Sequence, residues 1–73
     1  MNRATLDKAI DLNNRIISLS STITDIRNSS KDLVLFDRST QSIVGELDDD
    51  TLSIIMDALV NKENILKQEF ASL

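Results

Sequence analysis

Apolar residues near the start of the chain recur at alternating steps of three and four. This seam consists of Ala9, Leu12, Ile16, Leu19, Ile23 and Ile26, with Leu6, Ile10 and Ile17 beside it. Such spacing is typical of a helix that packs along one side against another helix, as in a coiled coil. It predicts a helix over residues 3–28, with Asn2 or Thr5 as the N-cap. Within that helix, residues 18–22 include four hydroxyl side chains, which have modest helix propensity.

The pattern changes after residue 32. Two short apolar runs at residues 33–36 and 43–44 flank a polar segment. This arrangement predicts a β-hairpin over about residues 33–45, with an irregular connector as the alternative. Gly45 is expected to provide a bulge or an exit bend. Because a lone hairpin is marginal in water, we expect it to rest on the helices or on another chain, with Val34, Phe36 and Ile43 covering part of the helical surface.

Residues 49–71 are predicted to form a second helix. Its apolar positions are Leu52, Ile54, Ile55, Met56, Ala58, Leu59, Ile65, Leu66 and Phe70, and Lys62 and Glu63 interrupt them. Asp48 is the expected N-cap, with Asp49 and Asp50 in the first turn, where the helix dipole favours negative charge. Capping explains this acidic run, which lacks the ligand spacing of a calcium loop, so we predict no metal site.

The predicted fold is mostly α, of the α+β class. One domain over residues 1–73 contains a long helix, a short hairpin and a long helix, packed as an antiparallel helical hairpin. Each helix has a wider apolar face than one partner helix covers, and a chain of 73 residues without Cys or His has no disulfide or zinc site for support. We therefore expect a homo-oligomer, with an ordinary monomeric core as the alternative. The predicted interface residues are Leu12, Ile16, Leu19, Ile23, Ile55, Leu59, Leu66 and Phe70.

Composition also limits the function. Without His, Cys or Tyr, only carboxylates and Lys remain as general bases, so we predict no enzyme and no cofactor. The net charge of −4 and the dispersed Lys and Arg residues argue against binding of a nucleic-acid polymer. The longest apolar run is far too short to span a membrane, and the start of the chain has no export signal. A cytoplasmic location is expected.

The polar segment is the best candidate for a ligand site. Arg38, Ser39, Thr40 and Gln41 place a guanidinium beside hydroxyls and an amide, a combination suited to an anionic ligand. In an oligomer, Arg27, Asn28 or Lys31 of a neighbouring subunit is expected to join the loop, with Arg27 as the second cation. A solvated turn is the alternative.

The order of a long helix, a short hairpin and a closing helix resembles the compact, acidic proteins that many bacteriophages encode. Among these are small oligomeric "sponge" proteins, which sequester cyclic-nucleotide or related signals of bacterial immunity. The resemblance covers the whole chain as element order, size and composition, and it transfers no binding residue. It implies a non-enzymatic anti-defence protein of the host cytoplasm with pockets between protomers.

Two functions are therefore predicted. The first is a homo-oligomeric binding protein that sequesters a small anionic ligand such as a nucleotide signal. The alternative is a helical-hairpin adaptor or inhibitor, which binds a host or partner protein through its apolar stripe.

Overall fold

A computed structural model describes residues 2–29 and 32–73. Its elements in chain order are α1 (Arg3–Arg27), β1 (Val34–Asp37), β2 (Ser42–Glu46) and α2 (Asp49–Ala71). The predicted order of helix, hairpin and helix is confirmed. The bounds differ from those expected by one residue at most.

Both helices begin at a side-chain cap. The Asn2 side chain accepts a hydrogen bond from the backbone N–H of Thr5 at 2.8 Å, so Asn2 rather than Thr5 caps α1. The Asp48 carboxylate accepts one from the Thr51 N–H at 2.7 Å, which confirms the predicted cap of α2. These bonds satisfy N–H groups that have no partner within a helix.

The two helices pack side by side and antiparallel. Only four apolar side chains are buried between them among the described residues: Leu12, Ile23, Leu52 and Leu66. The seam residues Ile16, Leu19, Ile55 and Leu59 are half-buried. The seam predicted in α1 therefore forms a narrow core with α2. Neither of these helices is long and apolar enough to cross a membrane.

The polar interruptions of the two helices face each other. The Ser20 hydroxyl donates to the Glu63 carboxylate at 2.5 Å, and Lys67 Nζ lies 3.3 Å from the same carboxylate. The Glu63 side chain is only 16% exposed. Hydrogen bonding from Ser20 lowers the pKa of Glu63, and the positive charge of Lys67 adds to that effect. The hydroxyl-rich segment of α1 thus supplies a partner for the carboxylate that interrupts the apolar face of α2.

The strands form a two-stranded antiparallel sheet with one irregularity. Val34 lies opposite Glu46 and Leu35 opposite Gly45, whereas Phe36 lies opposite Ile43. Val44 is therefore the extra residue of a β-bulge, next to the glycine at which a bulge was expected. Gly45 has no positive φ, and a Cβ there would meet Leu35 Cδ1 at an ordinary 3.8 Å.

The expectation that the hairpin covers part of the helices is wrong for this chain. Neither strand packs against α1 or α2 within residues 2–29 and 32–73. Val34, Phe36 and Ile43 are 41%, 53% and 63% exposed. The helices pair with each other along their seams, and the short strands extend from the end of that pair, so they have no apolar surface to lie on.

The chain is consequently elongated. Its radius of gyration is 15.5 Å, against about 11 Å for a compact domain of this length. Its accessible surface is 5728 Å², against about 4,500 Å² for a folded monomer of 8.2 kDa. One chain therefore exposes about 1,200 Å² more than its mass predicts.

Candidate functional site

The turn of the hairpin contains all four residues of the predicted ligand site, Arg38, Ser39, Thr40 and Gln41. At its centre, the Asp37 carboxylate accepts hydrogen bonds from the Ser39 hydroxyl at 2.7 Å and the Ser39 N–H at 2.9 Å. These bonds, the hydroxyl first, lower the pKa of Asp37. Asp37 is therefore a carboxylate at neutral pH, and its negative charge lies at the base of the loop that was predicted to hold an anion.

Most polar groups of the turn already have partners inside it. The hydroxyls of Thr40 and Ser42 lie 2.7 Å apart, and Gln41 Nε2 donates to the Arg38 carbonyl at 3.2 Å. Gln41 also closes the turn in the left-handed region, with φ of 58°. The guanidinium of Arg38 is exposed and has no ion pair among the described residues. The polar side chains of Ser39, Thr40 and Gln41 thus stabilise the turn itself, and among the turn residues only Arg38 presents an unpaired charge to solvent.

Arg27 is placed elsewhere. It lines a cavity of about 410 Å³ between the last turn of α1 and the first two turns of α2, with Asp49, Leu52 and Met56 on the opposite side. No hydrogen bond or ion pair within the described chain joins Arg27 to the hairpin turn. Within one chain, Arg27 and Arg38 do not line the same site, and Lys31 lies outside the described residues. That Arg27 and Arg38 meet between neighbouring subunits stays a prediction.

A second groove, which the sequence did not predict as a site, runs between the middle of α1 and the second half of α2. Its volume is about 460 Å³. Its polar lining consists of Asn14, Arg15, Ser18, Thr22 and Lys62, and Leu19 and Leu66 form its apolar part. A volume of this size matches a small-molecule site, and such sites combine apolar walls with a few polar groups.

Several polar groups in this groove are available to a ligand. The Asp11 carboxylate lies 3.1 Å from Arg15 Nε, which orients the guanidinium. Thr22 donates its hydroxyl to the Ser18 carbonyl at 3.1 Å. The side chains of Asn14, Ser18 and Lys62 have no hydrogen-bond partner within residues 2–29 and 32–73. Lys62 provides an unpaired positive charge beside an amide and a hydroxyl, and the Arg15 guanidinium keeps the N–H groups that Asp11 does not use. On an apolar floor, this combination is suited to an organic anion.

One signal in the sequence pointed to this groove. Asn14, Ser18 and Thr22 are spaced by four and therefore share one face of α1. Lys62 lies forty residues beyond Thr22, and only the pairing of the helices brings it opposite that face.

The predicted interface residues lie mainly inside the helix pair. Leu12, Ile23 and Leu66 are buried within the single chain, which leaves them little surface for a neighbour. Of the eight, only Phe70 is exposed, at 42%. The assignment of the set to a subunit interface stays a prediction. The large apolar side chains that the helices expose among the described residues are instead Leu6, Ile10, Ile17, Ile54, Ile65 and Phe70.

The acidic residues do not converge. No group of three acidic side chains that could hold a metal ion occurs within the described ranges. Comparisons with protein-family models, curated proteins and solved structures gave no match for this chain.

Proposed function

We propose that the chain is a non-enzymatic, homo-oligomeric binding protein that sequesters a small anionic ligand such as a nucleotide signal. Because its element order, size and composition resemble those of small bacteriophage proteins, we further propose that it is a phage-encoded anti-defence protein that acts in the host cytoplasm. The observation that carries the binding function is the groove between the helices, where Arg15 and Lys62 flank an apolar floor formed by Leu19 and Leu66.

Charge and shape in the groove favour an organic anion over a bare ion. A phosphate group can bond to the Arg15 guanidinium and the Lys62 ammonium, while an attached ring covers the two leucines. The overall charge of −4 repels anions at long range, so affinity has to come from such local contacts.

Assembly is supported by the surface of the single chain. About 1,200 Å² of excess surface exceeds the roughly 800 Å² that each partner buries in a standard interface. Among the residues that the structure describes, twelve large hydrophobic side chains are exposed and four are buried. Large exposed apolar patches mark contact sites in folded proteins.

The proposal is tested by calorimetry on the full chain with cyclic dinucleotides, cyclic trinucleotides, ATP and inorganic phosphate. Three single variants each remove one cation: Lys62→Ala in the groove, Arg38→Ala at the turn, and Lys8→Ala as a control on the exposed side of α1. We expect Lys62→Ala to weaken nucleotide binding roughly tenfold to a hundredfold, the effect of losing one charge-assisted hydrogen bond. Lys8→Ala should leave binding unchanged. Absence of binding by every nucleotide would refute the proposed function.

A weakened affinity in Arg38→Ala alone would move the site to the hairpin turn. That outcome would support the original site of Arg38, Ser39, Thr40 and Gln41, and it would exclude the groove.

The second candidate is an adaptor or inhibitor that binds a partner protein. It is favoured by the exposed stripe of Leu6, Ile10 and Ile17 on α1, which repeats at helical spacing. This hypothesis predicts a monomer or dimer in solution that does not respond to small molecules and whose partner binding is lost in Ile17→Asp. A mass of several chains that Ile17→Asp does not change would contradict it.

A further inference from the structure

The outer edge of β1 carries unpaired backbone groups. The Leu47 N–H donates to the Leu33 carbonyl at 3.0 Å, and Leu35 lies opposite Gly45, so Leu33 and Leu35 direct their backbone groups towards β2. Alternate residues of an antiparallel strand bond to opposite sides. Val34 and Phe36 therefore direct their N–H and C=O groups to the outer edge, where no other described strand lies.

This edge lacks most of the features that normally prevent strands from pairing between molecules, although β1 is only four residues long and ends in the charged Asp37. Val34, Leu35 and Phe36 are all at least 41% exposed, so both faces of β1 are apolar and open. The strand contains no Pro and no Lys, and the bulge at Val44 distorts β2 rather than β1. Folded proteins usually protect an edge by one of these means.

We infer that β1 is the subunit contact of the proposed homo-oligomer and pairs antiparallel with β1 of a second copy about a twofold axis at Leu35. The inference rests on the assembly part of the proposed function. In this register, Val34 lies opposite Phe36 of the second copy. Both residues direct their backbone groups outwards, so each pair exchanges two hydrogen bonds. The product is a four-stranded sheet with the order β2, β1, β1 and β2.

Charge selects this register over its neighbours. With the axis at Leu35, continuing the register past the ends of β1 brings Asp32, which precedes the strand, opposite Arg38 of the second copy, the first residue of the turn. The twofold axis repeats this pair. Asp32 and Arg38 have no ion pair within the described chain. An axis at Val34 would instead place Asp32 opposite Phe36, and an axis at Phe36 would place Arg38 opposite Val34.

The pairing also accounts for the isolated hairpin. A two-stranded sheet is only marginally stable in water, whereas a sheet of three or more strands with an apolar face can be stable on its own. Doubling the sheet joins the exposed Val34, Phe36 and Ile43 of the two copies into one apolar face.

A single cysteine tests the axis directly, because the chain has none of its own. In Leu35→Cys, the two thiols face each other across a non-hydrogen-bonded pair, with Cβ atoms about 4.5 to 5.5 Å apart, which a disulfide can span with slight adjustment. The matched control is Val44→Cys, also exposed on the hairpin, whose copies would lie about 14 Å apart across the sheet. Under mild oxidation, we expect Leu35→Cys to form a covalent dimer on a non-reducing gel and Val44→Cys to remain a single chain. Equal cross-linking of the two variants would overturn the inference.

Charge reversal provides a second test that does not depend on oxidation. Asp32→Arg or Arg38→Asp alone places like charges opposite each other and should weaken dimerisation roughly tenfold or more. The double variant restores opposite charges and should recover the affinity, which a mere loss of folding would not allow. Failure of the double variant to recover it would overturn the register.

The mass of the unmodified chain separates the two proposals. An oligomer by light scattering, with no Leu35→Cys cross-link, would leave the assembly standing and reject β1 as its contact. A monomer at all concentrations would reject both.

Discussion

Replacing Ile23 with Ala tests whether the four buried side chains are the core of this fold. Ile23 is 3% exposed. The substitution removes its three outer carbon atoms, each contributing about 0.8 kcal/mol when buried, and the remaining cavity adds to the loss. We expect the free energy of unfolding to fall by about 3 kcal/mol, from a total of roughly 4 to 11 kcal/mol for a chain of this length. The Tm should fall by about 12 to 24 °C.

The matched control is Ile17→Ala in the same helix. Ile17 is 58% exposed, and Ala has the higher helix propensity, so we expect a change of less than about 0.5 kcal/mol. Urea unfolding followed by circular dichroism at 222 nm measures both variants, at equal chain concentration because assembly raises apparent stability. Equal destabilisation by the two variants would refute the narrow core and show that the Ile17 stripe is buried between subunits.

Three further predictions concern single polar groups. The pKa values of Asp37, Asp48 and Glu63 are lowered in the folded chain. The three carboxylates therefore stabilise the fold fully above their ordinary pKa values of 3.8 and 4.5, and this stabilisation is lost as the pH falls through the lowered pKa values. Thermal melts should therefore show constant stability from pH 7 to about pH 5 and a decline below about pH 4; a Tm that rises on acidification would contradict this. Ser20→Ala should raise the pKa of Glu63, because it removes the hydrogen bond that lowers that pKa most. NMR titration of the Glu63 carboxyl carbon measures this pKa, and the same value in the variant and the parent chain would show that the bond is absent in solution. Gln41→Gly should stabilise the fold by roughly 0.5 to 1 kcal/mol by relieving the left-handed backbone, whereas a Tm below that of the parent chain would show that the Gln41 side chain matters more than its φ.

The elements of the fold were predictable because local signals agree. The steps of three and four, Asn2 and Asp48 as caps, and the switch to short apolar runs each depend on residues within one or two turns. Such signals specify where a helix begins and ends regardless of what it packs against.

The candidate site was less predictable, because it depends on which residues of different elements meet. The turn residues Arg38 to Gln41 are neighbours in the chain, so their clustering needed no tertiary information. The opposition of Lys62 to Ser18 and Thr22 depends on the register of α1 against α2, which apolar periodicity alone leaves open. The same register joins Ser20 to Glu63, two residues that looked like separate interruptions.

The sequence by itself determined the two helices, Asp48 as the cap of α2 and the absence of thiol and imidazole chemistry, because each is a property of single residues or short spacings. The structure decided for Asn2 over Thr5 as the cap of α1 and for a hairpin over an irregular connector. Only the tertiary structure decided which apolar side chains are buried. Both helices have more apolar surface than one antiparallel contact can cover, so pairing buries Leu12, Ile23, Leu52 and Leu66 and leaves the others exposed. It also decided that the hairpin extends beyond the helix pair with both faces of β1 open. Burial results from competition among all the apolar surfaces of the chain, and no local pattern records its outcome.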